Sequence, residues 1–277
     1  MYRTIHLTLS THPSPISRSA IDYACRAALY FDAMLNVTSP RLSVRTRTHA
    51  IAGGMLAGMA RDFERHAAEK SAELEQYVRE TAADLGVDVK IIPVAGHWPS
   101  SPSDMTWRGR TSDLCVLGLP QAGVEGRLDA EDWIFEVGRP CLLYPDECQA
   151  ALSLDSILIS WDFSKYAARA VCDALPILKT AKTVRVLTVR GEKDLRIEDP
   201  KTPILELLAA HDVKAEFVEV ELGAQSIGRI ILEQAHNARA DLIVMGAYGH
   251  SRLKEFVLGG ATKEILNSTR IPLLMSH

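Results

Sequence analysis

ADLIVMGAYGHSRLKEFVLGGATKEIL, residues Ala240 to Leu266, is the segment from which the architecture of this chain can be predicted. An apolar run of the strand type ends in Gly246 and Gly249, and a second glycine pair, Gly259 and Gly260, precedes a helical pattern. Strand, glycine-containing loop and helix in this order are typical of a parallel α/β sheet. Such sheets bind ligands beyond the carboxyl ends of their strands, so the segment also indicates a binding site.

The glycines leave two interpretations open on physical grounds. Glycine allows positive φ and a close approach of the backbone to a ligand. The N–H groups in the first turn of a helix, together with the helix dipole, favour an anion, so the segment suits a phosphate chain. Loops at the ends of parallel strands also commonly contain glycine for turn geometry alone, and the two interpretations are evenly balanced.

The second half of the chain alternates strands and helices throughout. Short apolar strands are predicted at Ser156–Ser160, Val184–Val189, Ala215–Glu221, Leu242–Gly246 and Ile271–Met275. Helices are predicted at Tyr166–Lys179, Ile204–His211, Ile227–Asn237 and Ala261–Leu266. This order predicts an open, doubly wound, Rossmann-like α/β sheet of five parallel strands joined by right-handed crossovers.

The first half echoes the second. SDLCVLGLPQA (Ser112–Ala122) resembles ADLIVMGAYGH (Ala240–His250), and RTIHLTLS (Arg3–Ser10) resembles DSILISWD (Asp155–Asp162). A repeat of this length predicts a duplicated domain rather than a solenoid.

We therefore predict two tandem domains, residues 1–150 and residues 151–277. The first domain carries insertions near residues 40–60 and 96–110. The first insertion is predicted as a loop with a small glycine-containing segment, followed by a long helix at Arg61–Leu85. Neither insertion contains a motif that assigns it a purpose.

The composition and the charge argue against a nucleic-acid-binding protein and against a membrane protein. The net charge of −4 gives no basic stripe for nucleic acid, and no apolar run reaches the ~18 residues of a membrane helix. The N-terminal residues lack the features of a secretory signal, and the five cysteines include no C-x-x-C pair. We expect a cytoplasmic protein without a dedicated metal site, because no paired histidine or cysteine spacing is present.

The glycine spacing in the second half resembles a known family motif. Gly246-x-x-Gly249, nine residues and then Gly259 is similar to the G-2x-G-9x-G-[S/T] motif of the ATP-binding universal stress proteins. The similarity covers Ser156–His277 and extends more weakly over the first half, so the chain resembles a tandem universal stress protein. The resemblance implies the fold shared with adenine nucleotide alpha hydrolases, and an adenine nucleotide as ligand.

The resemblance also implies which residues would contact ATP. The glycines and the first helical turn after them would face the phosphates, and this group consists of Gly246, Gly249, Gly259, Gly260, Ala261 and Thr262. The adenosine would lie near the strand ends, against Ser160, Trp161, Asp162, Val189, Met245 and Tyr248. Mg²⁺ could accompany the nucleotide, held mainly by phosphate oxygens and water. Asp162 has a structural alternative, which is to cap the helix that begins near Ser164.

The sequence departs from the family motif at two places. Gly260 stands where the motif has Ser or Thr, which removes a hydrogen bond of about 0.5–1.5 kcal/mol but leaves the backbone donors. In the first half Gly118 matches Gly246, but Pro120 removes a backbone donor, and acidic residues replace the second glycine pair. We expect ATP binding in the second domain only.

The predicted role is a stress-related sensor or adaptor regulated by the nucleotide. Family members often pair through their last strands, here Cys141–Tyr144 and Ile271–Met275, so we expect the two domains to form an internal pseudo-dimer, and a homodimer is an option. Three alternatives stay open: a nucleotide-free scaffold, a slow ATP hydrolase, and a small-molecule or lipid-like ligand in the first half. No catalytic residue is assigned, because the Walker motif G-x-x-x-x-G-K-[ST] is absent and no activating base adjoins the glycine loop.

Overall fold

The structure is a computed structural model that describes residues 1–12, 14–44, 53–98, 103–120, 127–148, 151–191, 199–247 and 260–277. These residues form two compact units, Met1–Arg139 (unit 1) and Pro140–His277 (unit 2). Strands and helices alternate along both units, which confirms the predicted α/β class.

Unit 1 contains a parallel sheet in the strand order β3-β2-β1-β4. Its strands are β1 (Thr4–Thr8), β2 (Met34–Val44), β3 (Val89–Trp98) and β4 (Leu114–Leu119). Its helices are α1 (Arg18–Phe31), α2 (Gly53–Leu85), α3 (Ser103–Gly109) and α4 (Arg127–Glu136).

The first predicted insertion differs from the structure. The prediction of a loop after residue 39 was wrong for residues 40–44, which continue β2, and the long helix begins at Gly53 rather than Arg61. The physical reason is the ladder between β2 and β3, which runs without interruption from Leu35 opposite Val89 to Val44 opposite Trp98. Pairing of this length stabilises the extended backbone through a stretch whose serine and proline residues suggest a turn.

Unit 2 contains a six-stranded sheet in the order β5-β10-β9-β6-β7-β8. Its strands are β5 (Cys141–Pro145), β6 (Ser156–Ser160), β7 (Thr183–Arg190), β8 (Ala215–Glu221), β9 (Leu242–Gly246) and β10 (Leu273–Ser276). Its helices are α5 (Lys165–Leu178), α6 (Thr202–Ala210), α7 (Ile227–Asn237) and α8 (Gly260–Ser268). The strands β10, β9, β6, β7 and β8 are parallel to one another, as predicted, whereas β5 runs antiparallel to β10.

The two units begin in the same way. In each, the first helix is capped by a serine whose side-chain oxygen accepts the backbone N–H three residues on: Ser17 accepts from Ala20, and Ser164 accepts from Ala167. Each capped helix then buries an alanine-rich face against its sheet. The local similarity seen in the sequence therefore extends to the hydrogen bonds that start the helices.

The cysteines in the core are inert thiols. Cys25, Cys115, Cys141 and Cys148 are buried and free. Burial raises the pKa of the Cys25 and Cys115 thiols to about 12, which keeps both protonated and unreactive.

Of the helices in the described ranges, none combines the length and the apolar character that a transmembrane span requires.

Candidate functional site

The carboxyl edge of the unit 2 sheet brings several predicted site residues together. Ser160 is the last residue of β6, and it lies opposite Met245 in β9 and Leu187 in β7. Val189 follows Leu187 by two residues, and Gly246 ends β9. Since parallel strands end at one edge of the sheet, Ser160, Val189, Met245 and Gly246 lie at the same edge.

A tight turn connects β6 to α5 at this edge. The backbone N–H of Trp161 donates to the carbonyl of Leu187 at 2.8 Å, and the Thr188 hydroxyl donates to the carbonyl of Trp161 at 3.0 Å. The Oδ1 atom of Asp162 accepts the backbone N–H of Ser164 at 3.0 Å. Asp162 therefore supports the turn directly before the helix cap, and the cap itself is Ser164.

The indole of Trp161 is a polar group of this turn that has no hydrogen-bond partner among the described residues. Its Nε1–H is buried. The indole ring contacts the Phe163 ring edge to face, with 5.8 Å between the ring centroids. A buried donor without an acceptor destabilises a fold by about 1–3 kcal/mol. A ligand that offered an acceptor to this N–H would remove that cost.

The backbone of Phe163 is in the left-handed region, with φ of 63°. The other non-glycine residues with positive φ in the described part of the chain, Asp32, Asp212 and Arg239, all lie just after a helix, where this conformation is common. Phe163 instead lies before a helix, between Asp162 and Ser164. Backbone strain of about 1–3 kcal/mol at such a position is typical of binding sites.

Gly246 is a packing residue, and this function was missed in the sequence analysis. A Cβ atom at Gly246 would lie 2.7 Å from the backbone N of Ala167 and 2.7 Å from the backbone carbonyl carbon of Tyr166. The first turn of α5 therefore packs directly on the end of β9. Gly118 at the matching position of unit 1 is less tight, since a Cβ there would lie 3.1 Å from Cγ1 of Ile16. A glycine shared by both halves, in a first half that lacks the rest of the motif, is the sequence signal for this packing function.

The start of α8 has room where the end of β9 has none. A Cβ at Gly260 would meet no atom within 4 Å, and the next residues are the half-buried Ala261 and the buried Thr262. In the next turn, Oε1 of Glu264 accepts the hydroxyl of Ser226, the residue that caps α7, at 2.7 Å. Because α7 follows β8, this contact places the first turns of α8 at the carboxyl edge of the sheet. The remaining predicted site residues, Tyr248, Gly249 and Gly259, lie outside the described residues.

Within the described ranges, no group of three or more His, Cys, Asp or Glu side chains is arranged to hold a metal ion. The groups at this edge that can contact a ligand include the backbone N–H groups in the first turns of α8. They also include the indole N–H and the carboxylate of the β6–α5 turn. Such a set of groups can bind a polar organic anion.

Comparison with known proteins identifies the region that carries these groups. Residues 154–277 match the family model of the Universal stress protein family. This region is a universal stress protein domain. The universal stress protein Slr1230 of Synechocystis is 31% identical to the chain over 173 residues. That similarity spans 58% of this chain and 58% of the Synechocystis protein, so each extends well beyond the matched part.

Solved structures of universal stress proteins share the fold. A universal stress protein from Archaeoglobus fulgidus superposes with a TM-score of 0.71 at 18% identity, covering 98% of this chain and 97% of that one. A putative universal stress protein from Pseudomonas aeruginosa gives a TM-score of 0.54 at 14% identity, covering 99% and 93%. These similarities confirm the predicted Rossmann-like architecture of alternating strands and helices with a mostly parallel sheet.

Proposed function

We propose that this chain is a cytoplasmic, stress-related regulatory protein whose unit 2 binds ATP or another adenine nucleotide at the carboxyl edge of its sheet. The observation that carries the proposal is the buried Nε1–H of Trp161, which has no partner among the described residues and belongs to the residue between the end of β6 and Asp162. An adenosine contains several acceptor atoms that could receive this hydrogen bond, so the orphaned donor fits the proposed ligand.

Different residues at this edge would bind the phosphates and the nucleoside of the nucleotide. The backbone N–H groups at Gly260, Ala261 and Thr262 would bind phosphate oxygens, with the helix dipole favouring the negative charge. The β6–α5 turn, with Trp161 and Asp162, would bind the nucleoside. ATP supplies a polyanion on which Mg²⁺ can be carried, and bound nucleotide would stabilise whichever conformation binds it better.

The experiment is a calorimetric titration of ATP–Mg²⁺ into the full chain, with analysis of the supernatant of the denatured protein for nucleotide carried through purification. We expect one site with a micromolar Kd in the wild type and no binding in Gly259→Asp, which places a negative charge in the glycine motif. Gly58→Asp in α2 is the matched control, because a side chain there has open space and lies in unit 1. This control should bind ATP as the wild type does.

A nucleotide-free scaffold is the competing function, and the packing of Gly246 against Tyr166 and Ala167 favours it. In that case the glycine persists for the fold and not for a phosphate. Wild-type protein that shows neither heat of binding nor carried-over nucleotide would support the scaffold and contradict the nucleotide site.

A further inference from the structure

Two helices of unit 2 meet near their first turns. Helix α7 follows β8 and helix α8 follows β9, so both begin at the carboxyl edge of the sheet. Between them, Oε1 of Glu264 on α8 accepts the hydroxyl of Ser226 at 2.7 Å. The oxygen of that hydroxyl accepts the backbone N–H of Arg229 at 3.4 Å and so caps α7. Glu264 therefore joins α8 to the cap of α7.

Gly228 leaves the space for this contact. A Cβ atom at Gly228 would lie 2.6 Å from Oε2, 2.9 Å from Cβ and 3.0 Å from Cδ of Glu264. Gly228 is buried in the first turn of α7, although glycine is an unfavourable residue in a helix. Its backbone does not have positive φ, so the conformation of the chain does not require glycine there. The close approach of Glu264 does.

The distance to Cβ of Glu264 decides what a larger residue at position 228 would do. Rotation about the side-chain bonds of Glu264 can move its carboxylate, but its Cβ atom is fixed to the backbone of α8. Carbon atoms in contact normally lie about 3.5–4.0 Å apart, so a methyl group at 2.9 Å would push α7 and α8 apart by roughly 1 Å. The glycine therefore sets the distance between the two helices.

Glu264 is close to the backbone groups that are proposed to bind phosphate. It follows Gly260 by four residues, which is about 6 Å along the helix axis. The buried side chains of Ile265 and Leu266 hold α8 in the core through apolar contacts, which are not directional. The hydrogen bond from Ser226 is directional, so it fixes where the N–H groups of the first turn of α8 lie.

We propose that Gly228 and Glu264 are positioning residues for the phosphates of the nucleotide, a proposal that rests on the function proposed above. Glu264 holds the start of α8 where its N–H groups can bind phosphate oxygens, and Gly228 permits that position. Neither residue belongs to the glycine motif, and both act through α8. Since an N–H···O hydrogen bond spans about 2.7–3.2 Å, a shift of roughly 1 Å at this helix would weaken or break it.

The proposal distinguishes the two ends of the nucleotide. The phosphates would bind α8, whereas the nucleoside would bind the β6–α5 turn. A change at the contact between α7 and α8 should therefore weaken ATP and leave adenosine unaffected. The ratio of the Kd for adenosine to the Kd for ATP is the readout, because a general loss of stability would not lower it.

The first test is Gly228→Ala, with calorimetric titration of ATP–Mg²⁺ and NMR titration of adenosine into the full chain. We expect ATP to bind about two- to tenfold more weakly than to the wild type, as for the loss of one hydrogen bond, and adenosine to bind equally well. Gly58→Ala is the matched control, because Gly58 also lies in a helix but a Cβ there has open space. This control should leave both affinities unchanged.

The second test compares Glu264→Ala with Glu264→Gln. The alanine variant removes the acceptor of the Ser226 hydroxyl and should weaken ATP about two- to tenfold. The glutamine variant keeps an acceptor oxygen and the volume but removes a negative charge near the phosphates, so it should bind ATP at least as tightly as the wild type. Glu206→Ala, at an exposed glutamate of α6, is the control and should bind as the wild type does.

The outcomes separate this proposal from the nucleotide site itself. Wild-type protein that binds no ATP would overturn both. Wild-type protein that binds ATP, with an unchanged ratio of the two Kd values in folded Gly228→Ala, would overturn only the positioning function. Equal weakening in Glu264→Ala and Glu264→Gln would also overturn it, since the acceptor would then have no effect. If urea unfolding shows that Gly228→Ala does not fold, the two variants of residue 264 decide the matter.

Discussion

Asp113 and Asp241 make the same contacts at equivalent points of the two units. The Oδ2 atom of Asp113 accepts the backbone N–H groups of Arg3 and Thr4, at 2.8 and 2.9 Å. The Oδ2 atom of Asp241 accepts those of Asp155 and Ser156, at 3.0 and 2.9 Å. In both units a carboxylate before the fourth strand of the repeat thus binds the start of the first strand, so the duplication preserves individual hydrogen bonds as well as the order of the elements.

Asp113→Asn and Asp241→Asn should each lower the free energy of unfolding by about 1.5–3 kcal/mol, the usual value of hydrogen bonds to a charged group. Burial raises the pKa of the Asp113 carboxyl, but the N–H groups of Arg3 and Thr4 outweigh this and lower the pKa below its ordinary value. This stabilisation is present above the unfolded pKa of 3.8 and is lost as the pH falls below it. Urea unfolding at pH 7 measures the loss, and the exposed Asp32→Asn is the control that should show no change.

Gly246→Ala should destabilise the protein by about 1–3 kcal/mol, because the new methyl group meets the backbone of Tyr166 and Ala167. Gly118→Ala should cost less, since the flexible side chain of Ile16 can move. Gly260→Ala has open space and should be close to neutral. Urea unfolding curves of the three variants test this order, and a neutral Gly246→Ala would mean that α5 does not pack as tightly on β9 as described.

Gly260→Ser should tighten ATP binding about two- to tenfold, because it restores the hydroxyl of the family motif at a position where a side chain fits. Calorimetry on the wild type and the variant provides the comparison, with Gly58→Ser in unit 1 as the control. An unchanged Kd would show that the hydroxyl of this position does not reach the phosphates.

Trp161→Phe should separate stability from binding. The variant removes a buried donor without a partner among the described residues, so the free energy of unfolding should stay the same or rise slightly. Nucleotide affinity should fall about two- to tenfold if this N–H donates to the ligand. Thermal unfolding and calorimetry of the same samples give both quantities, and undiminished affinity would assign the indole to the core alone.

His6 should make the stability of unit 1 depend on pH. Burial, with a smaller effect of the positive charge of Arg108, lowers the pKa of His6 from 6.5 to about 4. The unfolded chain therefore binds a proton between pH 6.5 and pH 4 that the folded chain does not, and stability falls as the pH falls through this range.

The contribution of His6 amounts to about 2 kcal/mol between pH 7 and pH 5, where most carboxylates stay ionised. Urea unfolding at the two pH values should show a smaller difference in His6→Gln than in the wild type. His277, whose pKa is also lowered by burial, titrates in both proteins and cancels in the comparison. An equal pH dependence in the two proteins would contradict the burial of a neutral His6.

The elements that could be predicted from the sequence are those with strong local patterns. Four elements form with the predicted bounds: the strands Ser156–Ser160, Ala215–Glu221 and Leu242–Gly246 and the helix Ile227–Asn237. In these segments the periodicity of the apolar residues and the positions of the capping residues indicate the same bounds. The end of β2 was missed because its extended backbone depends on a partner strand about 50 residues away in sequence, and not on local propensity.

For the candidate site, only the ligand chemistry that the family motif implies could be predicted from the sequence. The spacing of glycines led to Gly246, but the reason that the fold requires it there, contact with the backbone of α5, depends on packing that spacing does not encode. The same holds for Trp161: a tryptophan after a strand gives no sign that its indole N–H is buried without an acceptor in the part of the chain that the structure describes.

The antiparallel pairing of β5 with β10 has a consequence for the way the protein is made. Leu143 and its partner Leu273 are separated by 130 residues. A ribosome adding about 5–20 residues per second takes roughly 6–26 seconds to cover that interval. The strands of residues 1–139 are all synthesised before β5, whereas β5 can pair with β10 only after Leu273 has been added. A nascent chain stalled before Leu273 would therefore contain β5 without its antiparallel partner.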